Sequence, residues 1–387
     1  MRRVGRGATW LVAALLWAVA AGPAFAAPPP WSNPQPVTSY SATPYGMAVT
    51  GPTSLVLLYS ESELSSGNGV LLRRSTNSGQ TWGSPLVLSP IPGPAALATF
   101  GSTVDVVWIA NNRLRYVRSD DGGITFSDPI ALAGSSTVPL AEPHVARGPD
   151  GTVAVLWEKN DLWVRVSRDG GNTFRSRIQL ASGTGHTPAV AAGEGVAYAA
   201  YVSGRKLFVR RSLDQGTTWS SPDGLAGNVA GETFGLVRNP SITADGSTAY
   251  VAYTAQVEPS SWNNFIRYRS TSNRGKTWSA PVNLSPPSEK YSQNPVISKD
   301  GGKLRVVFER CITIWRGQCD LGTDWFSRIG YRQSADGLTW STTKLIEGND
   351  GNSRPIAIDV AGRIVVFYSP YYTYSEPAKG MIVTRAL

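Results

Sequence analysis

Six segments of this chain spell one turn. They are Ser75-Thr-Asn-Ser-Gly-Gln-Thr-Trp82, Ser119-Asp-Asp-Gly-Gly-Ile-Thr-Phe126, Ser167-Arg-Asp-Gly-Gly-Asn-Thr-Phe174, Ser212-Leu-Asp-Gln-Gly-Thr-Thr-Trp219, Thr271-Ser-Asn-Arg-Gly-Lys-Thr-Trp278 and the shorter Ser334-Ala-Asp-Gly-Leu-Thr-Trp340. Their aromatics stand 44 to 62 residues apart. The turn chemistry is explicit: Asp or Asn accepts hydrogen bonds from nearby backbone N–H groups, and Gly takes a positive φ. A strand-like run precedes each turn, such as Leu71 to Ser75 or Leu207 to Ser212, and another follows, such as Ser84 to Ser89. Two more lie upstream, for example His144 to Arg147 and Val153 to Glu158. Four strands per period of about 50 residues is the content of one propeller blade. Composition agrees. The 387 residues include 40 Gly and 27 Pro, too many for a helix-rich fold, and only 16% are charged, which excludes coiled coils and helical arrays.

The pattern Ser-x-Asp-x-Gly-x-Thr-Trp resembles the Asp-box, or BNR repeat, of sialidase-superfamily β-propellers, and the resemblance covers the chain beyond its first 26 residues. It makes Asn77, Asp121, Asp169, Asp214, Asn273 and Asp336 structural turn residues with no chemical role. A second repeat sets the expected number of blades. Proline recurs where each innermost strand begins, at Pro44, Pro94, Pro143, Pro188, Pro240, Pro295 and Pro355. The reading is therefore an all-β, seven-bladed propeller of four-stranded antiparallel blades, whereas familiar sialidases have six. Trp31-Ser-Asn-Pro34 matches Trp82-Gly-Ser-Pro85 and Trp278-Ser-Ala-Pro281. Residues 31–38 are thus expected to supply the outer strand of the last blade, closing the ring by pairing N-terminal with C-terminal strands and hiding its edges.

Residues 1–26 read as a signal peptide: Arg2, Arg3 and Arg6, an apolar run from Leu11 to Ala21, and the cleavage site Ala24-Phe25-Ala26. Residues 27–387 are then one secreted propeller domain with no membrane span, since no later apolar segment approaches about 20 residues. The net charge of +9 falls to +6 without the three signal arginines. No basic stripe is present, so nucleic acid is not an expected partner. Two His and two Cys argue against a metal centre, and no cofactor is expected. Cys311 and Cys319 bracket a short loop, which in an oxidising compartment suits a local disulfide; two free thiols are the alternative. A monomer is expected.

Chemistry on a propeller gathers where innermost strands begin, opposite the repeated turns. The residues preceding the prolines, Thr43, Gly93, Glu142, Thr187, Asn239, Asn294 and Arg354, should line that mouth. The longest loops fall in the last three blades, with Trp315 and Asp324 in one, Tyr371 and Tyr372 in another, and Glu232 in a blade connection. Exposed rings beside acids suit sugar faces; the alternative is a loop cluster packed on itself. Val237-Arg-Asn-Pro240 is similar to the Phe-Arg-Ile-Pro signature of sialidases, and Ser353-Arg-Pro355 and Phe367-Tyr-Ser369 are similar to their last arginine and tyrosine. The resemblance implies Arg238 and Arg354 as carboxylate contacts. It also implies Tyr368 as nucleophile, Glu309 as its base and Asp324 as a further acid. His144 and His186 read as ordinary hydrogen-bonded side chains. Two functions follow: binding of a glycan or an extracellular protein through this decorated face, using Arg238, Arg354, Glu232, Trp315, Tyr371 and Tyr372, or exo-acting, sialidase-like glycoside hydrolysis.

Overall fold

A computed structural model describes residues 32–33, 35–61, 69–226, 236–256, 264–285, 291–300, 302–311, 314–315, 318–319, 327–346, 352–370 and 379–386. Every regular element among them is a strand, and the repeating unit is four antiparallel strands. The unit over 141–181 shows how sequence makes it. Val153–Lys159 is apolar on both faces and almost wholly buried. Its Val153 and Val155 pack toward the preceding unit with Val107 and Tyr116, while Ala154 and Leu156 pack toward the next with Ala199 and Tyr201. The third strand, Asp161–Ser167, alternates buried and half-buried residues, and the fourth, Ile178–Ala181, is mostly outside the core. Burial thus declines outward, as expected when both faces of the inner strands are covered by neighbouring sheets.

Among the described residues the ladders form six hydrogen-bonded sheets, so the expected count of seven blades is corrected. Residues 95–134, 141–181 and 188–226 each make a free-standing four-stranded sheet. The others fuse. The 15-residue strand Gln35–Val49 pairs early with Lys379–Ala386, through Gln35 opposite Ile382 and Pro36 opposite Met381. Later it pairs with Leu55–Glu61, through Val49 opposite Leu55, so one seven-stranded sheet contains both ends of the described chain. A parallel contact of Asn264 with Tyr291 joins the strands of 236–283 and 291–346 into an eight-stranded sheet. Ile314–Trp315 and Gln318–Cys319 form the small sixth ladder. Counting repeats counts strand sets; backbone pairing between sets reduces the number of sheets.

Each repeated turn is tied by its first hydroxyl, which bonds the Asp or Asn two residues on and the N–H of the Gly. In one, the Ser119 hydroxyl donates to Asp121 Oδ1 (2.7 Å) and accepts from the Gly123 N–H (2.8 Å). Asp121 in turn accepts from Thr125 N–H (2.9 Å) and hydroxyl (2.6 Å). The following aromatic packs back on the preceding unit, as Phe174 does edge-on against Tyr116 with ring centroids 4.9 Å apart.

These bonds lower the carboxyl pKa values. Asp336 is held down to about 2 by the N–H groups of Thr339 and Leu338 and the Ser334 hydroxyl. At Asp214 desolvation pushes upward, but the Thr218 N–H and the Ser212 and Thr218 hydroxyls bring it to about 2. A depressed folded-state value adds stability that is complete above the unfolded value, about 3.9, and is lost as pH falls through the folded one. Melting temperature is expected to fall between pH ~4 and ~2, with a smaller fall in Asp214→Asn. An unchanged acid slope in that variant would show that Asp214 contributes nothing to it.

Candidate functional site

At the mouth, three residues preceding first-strand prolines share an unusual backbone. Glu142, Asn239 and Asn294 have φ of 49°, 49° and 53°, directly before Pro143, Pro240 and Pro295. A non-Gly residue in this region costs on the order of 1 kcal/mol, and a following proline disfavours helical conformations further. At the same places the ladders skip register, between Leu156 and Glu158, Arg238 and Ser241, and Gln293 and Val296. A bulge re-aims the side chain it carries.

Two of these bulges build a polar cluster. Asn239 Nδ2 donates to Asn294 Oδ1 from the neighbouring strand set. Asn294 Nδ2 donates to Glu309 Oε2 (2.9 Å), and Gln293 Nε2 donates to the same oxygen (3.0 Å). The Asn294 N–H donates to the hydroxyl of buried Thr254 (3.2 Å). Glu309 is 4% exposed, and amide donors hold its carboxylate. Arg238, paired in the ladder with Thr254, is exposed and meets no partner among the described residues. A positive charge therefore stands at the rim of a preorganised patch of amides and carboxylate.

A second cluster lies in the unit 141–181 and its junction to the next. Glu158 accepts the N–H groups of Gly185 (2.7 Å) and His186 (3.0 Å). His186 Nδ1 stands 3.9 Å from Glu158 Oε2, and His144 Nε2 stands 3.8 Å from Glu142 Oε2. Both histidines of the chain thus stand beside glutamates of the inner strands. Among the described residues no group of His, Cys, Asp and Glu could hold a metal ion.

The structure places the other sequence-derived residues as follows. Tyr368 is buried and packs with Val307, Ile364 and Val366. Burial pushes its hydroxyl pKa up, the opposite of what a nucleophile needs, and no charged group contributes to that shift. The backbones of Arg354, Trp315, Cys311 and Cys319 lie in strands, while their side chains lie outside the described set. Asp324, Glu232, Tyr371, Tyr372 and the segment 1–26 lie outside the described residues. Asn239 and Asn294, expected only to line the mouth, are the cluster's amides; an Asn before a strand-initial Pro is the sequence signal for them.

An all-β propeller with its polar cluster at the mouth is the class that fold and site define. It is similar, over 89% of its length, to 95% of an ulvan lyase described as bound to -[GlcA(1-4)Rha3S]-, with a TM-score of 0.58 and 12% identity. YCF48 bound to D1 peptide gives 0.55 and 14% identity over 93% of this chain and 96% of that one. A Dyadobacter fermentans DSM 18053 protein of unknown function gives 0.51 and 12% over 92% and 99%. At such identities the likeness shows the fold. No protein-family model matches the sequence, and no curated protein does.

Proposed function

We propose that this protein binds an acidic glycan at the mouth, with Asn239, Asn294 and Glu309 reading hydroxyl groups and Arg238 meeting a carboxylate or sulfate. The observation that carries the reading is the fixed Glu309–Asn294–Asn239 cluster beside exposed Arg238. Amide and carboxylate groups offer donors and acceptors that pair with vicinal hydroxyls, and a guanidinium pairs with an oxyanion in two parallel bonds. The uronate- and sulfate-bearing ligand of the ulvan lyase is a reasonable first probe. Export, with cleavage after Ala26 and a Cys311–Cys319 bond, belongs to the same reading. Mass analysis of secreted protein should give a chain starting at Ala27 with no free thiol.

Calorimetric titration with that oligosaccharide should show binding that Arg238→Ala weakens about tenfold. Asn239→Gly with Asn294→Gly should abolish it in a chain that still folds, since glycine accepts the left-handed φ, with a lower melting temperature because buried Glu309 loses the Asn294 donor. Unchanged affinity in these variants overturns the reading. Hydrolysis is the second function to measure in the same samples: reducing ends that appear with wild type and vanish with Glu309→Gln would replace binding by catalysis.

A further inference from the structure

The strand ladders single out one edge. In each unit with a repeated turn, the third strand and the segment after the turn aromatic run side by side. Extending the observed registers by one residue sets Arg73 opposite Pro85, Val117 opposite Pro129, Arg210 opposite Pro222, Arg269 opposite Pro281 and Arg332 opposite Thr343. In the unit 141–181 the same step sets Arg165 opposite Arg177. Here Phe174-Arg-Ser-Arg177 stands where other units carry Trp219-Ser-Ser-Pro222 or Trp278-Ser-Ala-Pro281. Like charges directly opposite across a ladder destabilise a sheet, so stability does not explain the substitution.

The arginines also lack the partners that their equivalents have. Arg73, Arg210, Arg269 and Arg332 each donate to the carbonyl of the residue after the turn aromatic, at Gly83, Ser220, Ser279 and Ser341. Half-buried Arg165 makes no such bond, and its Nε is buried and unpaired. Arg177 stands over Trp163, with its Cζ 4.3 Å from the ring centroid, within cation–π range. Arg175 and Arg177 also border a cavity of about 580 Å³ with Val164, Val166 and Thr217, which Arg165 and Trp163 do not line. Among the described residues none of the three arginines pairs with a carboxylate.

We infer that Arg165, Arg175 and Arg177, the last of them over Trp163, form a second binding site on the outer edge, which takes the sulfate or carboxylate groups of an acidic polysaccharide. Guanidinium groups on neighbouring strands with free N–H donors match an oxyanion, and the missing cross-strand counter-charge is what a bound anion supplies. The site stands on residues remote in sequence from the mouth cluster and does not rest on the reading given for it.

The probe is a dextran sulfate oligosaccharide, titrated into the full chain at ~0.15 M and at higher salt, with neutral dextran and inorganic sulfate as the other arms. Arg175→Ser with Arg177→Pro gives this edge the residues that Ser220 and Pro222 supply elsewhere. It should fold at least as well as wild type while binding dextran sulfate about tenfold more weakly, with less salt dependence. Arg177→Gln, which keeps the backbone donor, should show the same direction. Equal affinity in both variants, or equal binding of neutral dextran, overturns the site. Competition by inorganic sulfate at matched sulfate concentration overturns the polysaccharide as its ligand. Arg238→Ala should leave the edge arm unchanged, so failure at the mouth and failure at the edge are told apart.

Discussion

Arg147→Ala is expected to cost about 3–5 kcal/mol of folding stability, the range for removing one partner of a buried ion pair. Asp105 is fully buried, starts an inner strand of 95–134, and pairs with Arg147 from the first strand of the next unit, with Arg147 Nη2 2.8 Å from Asp105 Oδ1. Arg147 also donates to the Gly170 carbonyl at 2.9 Å, inside a repeated turn. Without it the carboxylate keeps the Tyr116 hydroxyl but loses its counter-charge. The double change Asp105→Leu with Arg147→Met should recover most of the loss, because it removes the buried charge together with its partner. Urea unfolding midpoints test this, and a single-variant loss below ~1 kcal/mol would mean that water reaches Asp105.

Gly171→Ala should be comparably damaging for a steric reason. Gly171 has φ +94°, and a Cβ there would stand 1.8 Å from the Tyr116 hydroxyl oxygen. Tyr116 cannot yield freely, since it is fully buried and donates to Asp105. Forcing a methyl into packed surroundings costs roughly 1–3 kcal/mol, and the left-handed backbone adds about 1. Gly183→Ala is the control: φ is +88° but nothing lies within 4 Å, so only the backbone part should appear. Equal melting temperatures for the two alanine variants would refute the clash.

Much of this fold was legible because its signals are local. A Ser, an Asp or Asn, a Gly and an aromatic at fixed offsets specify the turn, and the structure ties Ser119, Asp121 and Thr125 as their chemistry suggests. The number of sheets was not legible, because the pairing of Asn264 with Tyr291 and the double pairing of Gln35–Val49 are backbone contacts that no side-chain pattern announces. At the site, Glu309 was identifiable as an unusual acid in an apolar strand, but its hold by Gln293 and Asn294 depends on a bulge. Tyr368 was misleading for a physical reason: an inner strand is apolar on both faces, so alternation does not tell which way a ring points. Its ring packs with Val307 and Val366.

The strand Gln35–Val49 sets the order of events in making the molecule. Gln35 finds its partner at Ile382, about 350 residues further on. A ribosome releases the two ends of that ladder at different times, so the seam cannot be sewn while the chain is being synthesised. The entropy of closing so large a loop grows only with the logarithm of its length, but contacts this remote in sequence form slowly. Until they form, the early part of Gln35–Val49 waits as an unpaired sheet edge, the kind of surface on which two unfinished chains can pair with each other.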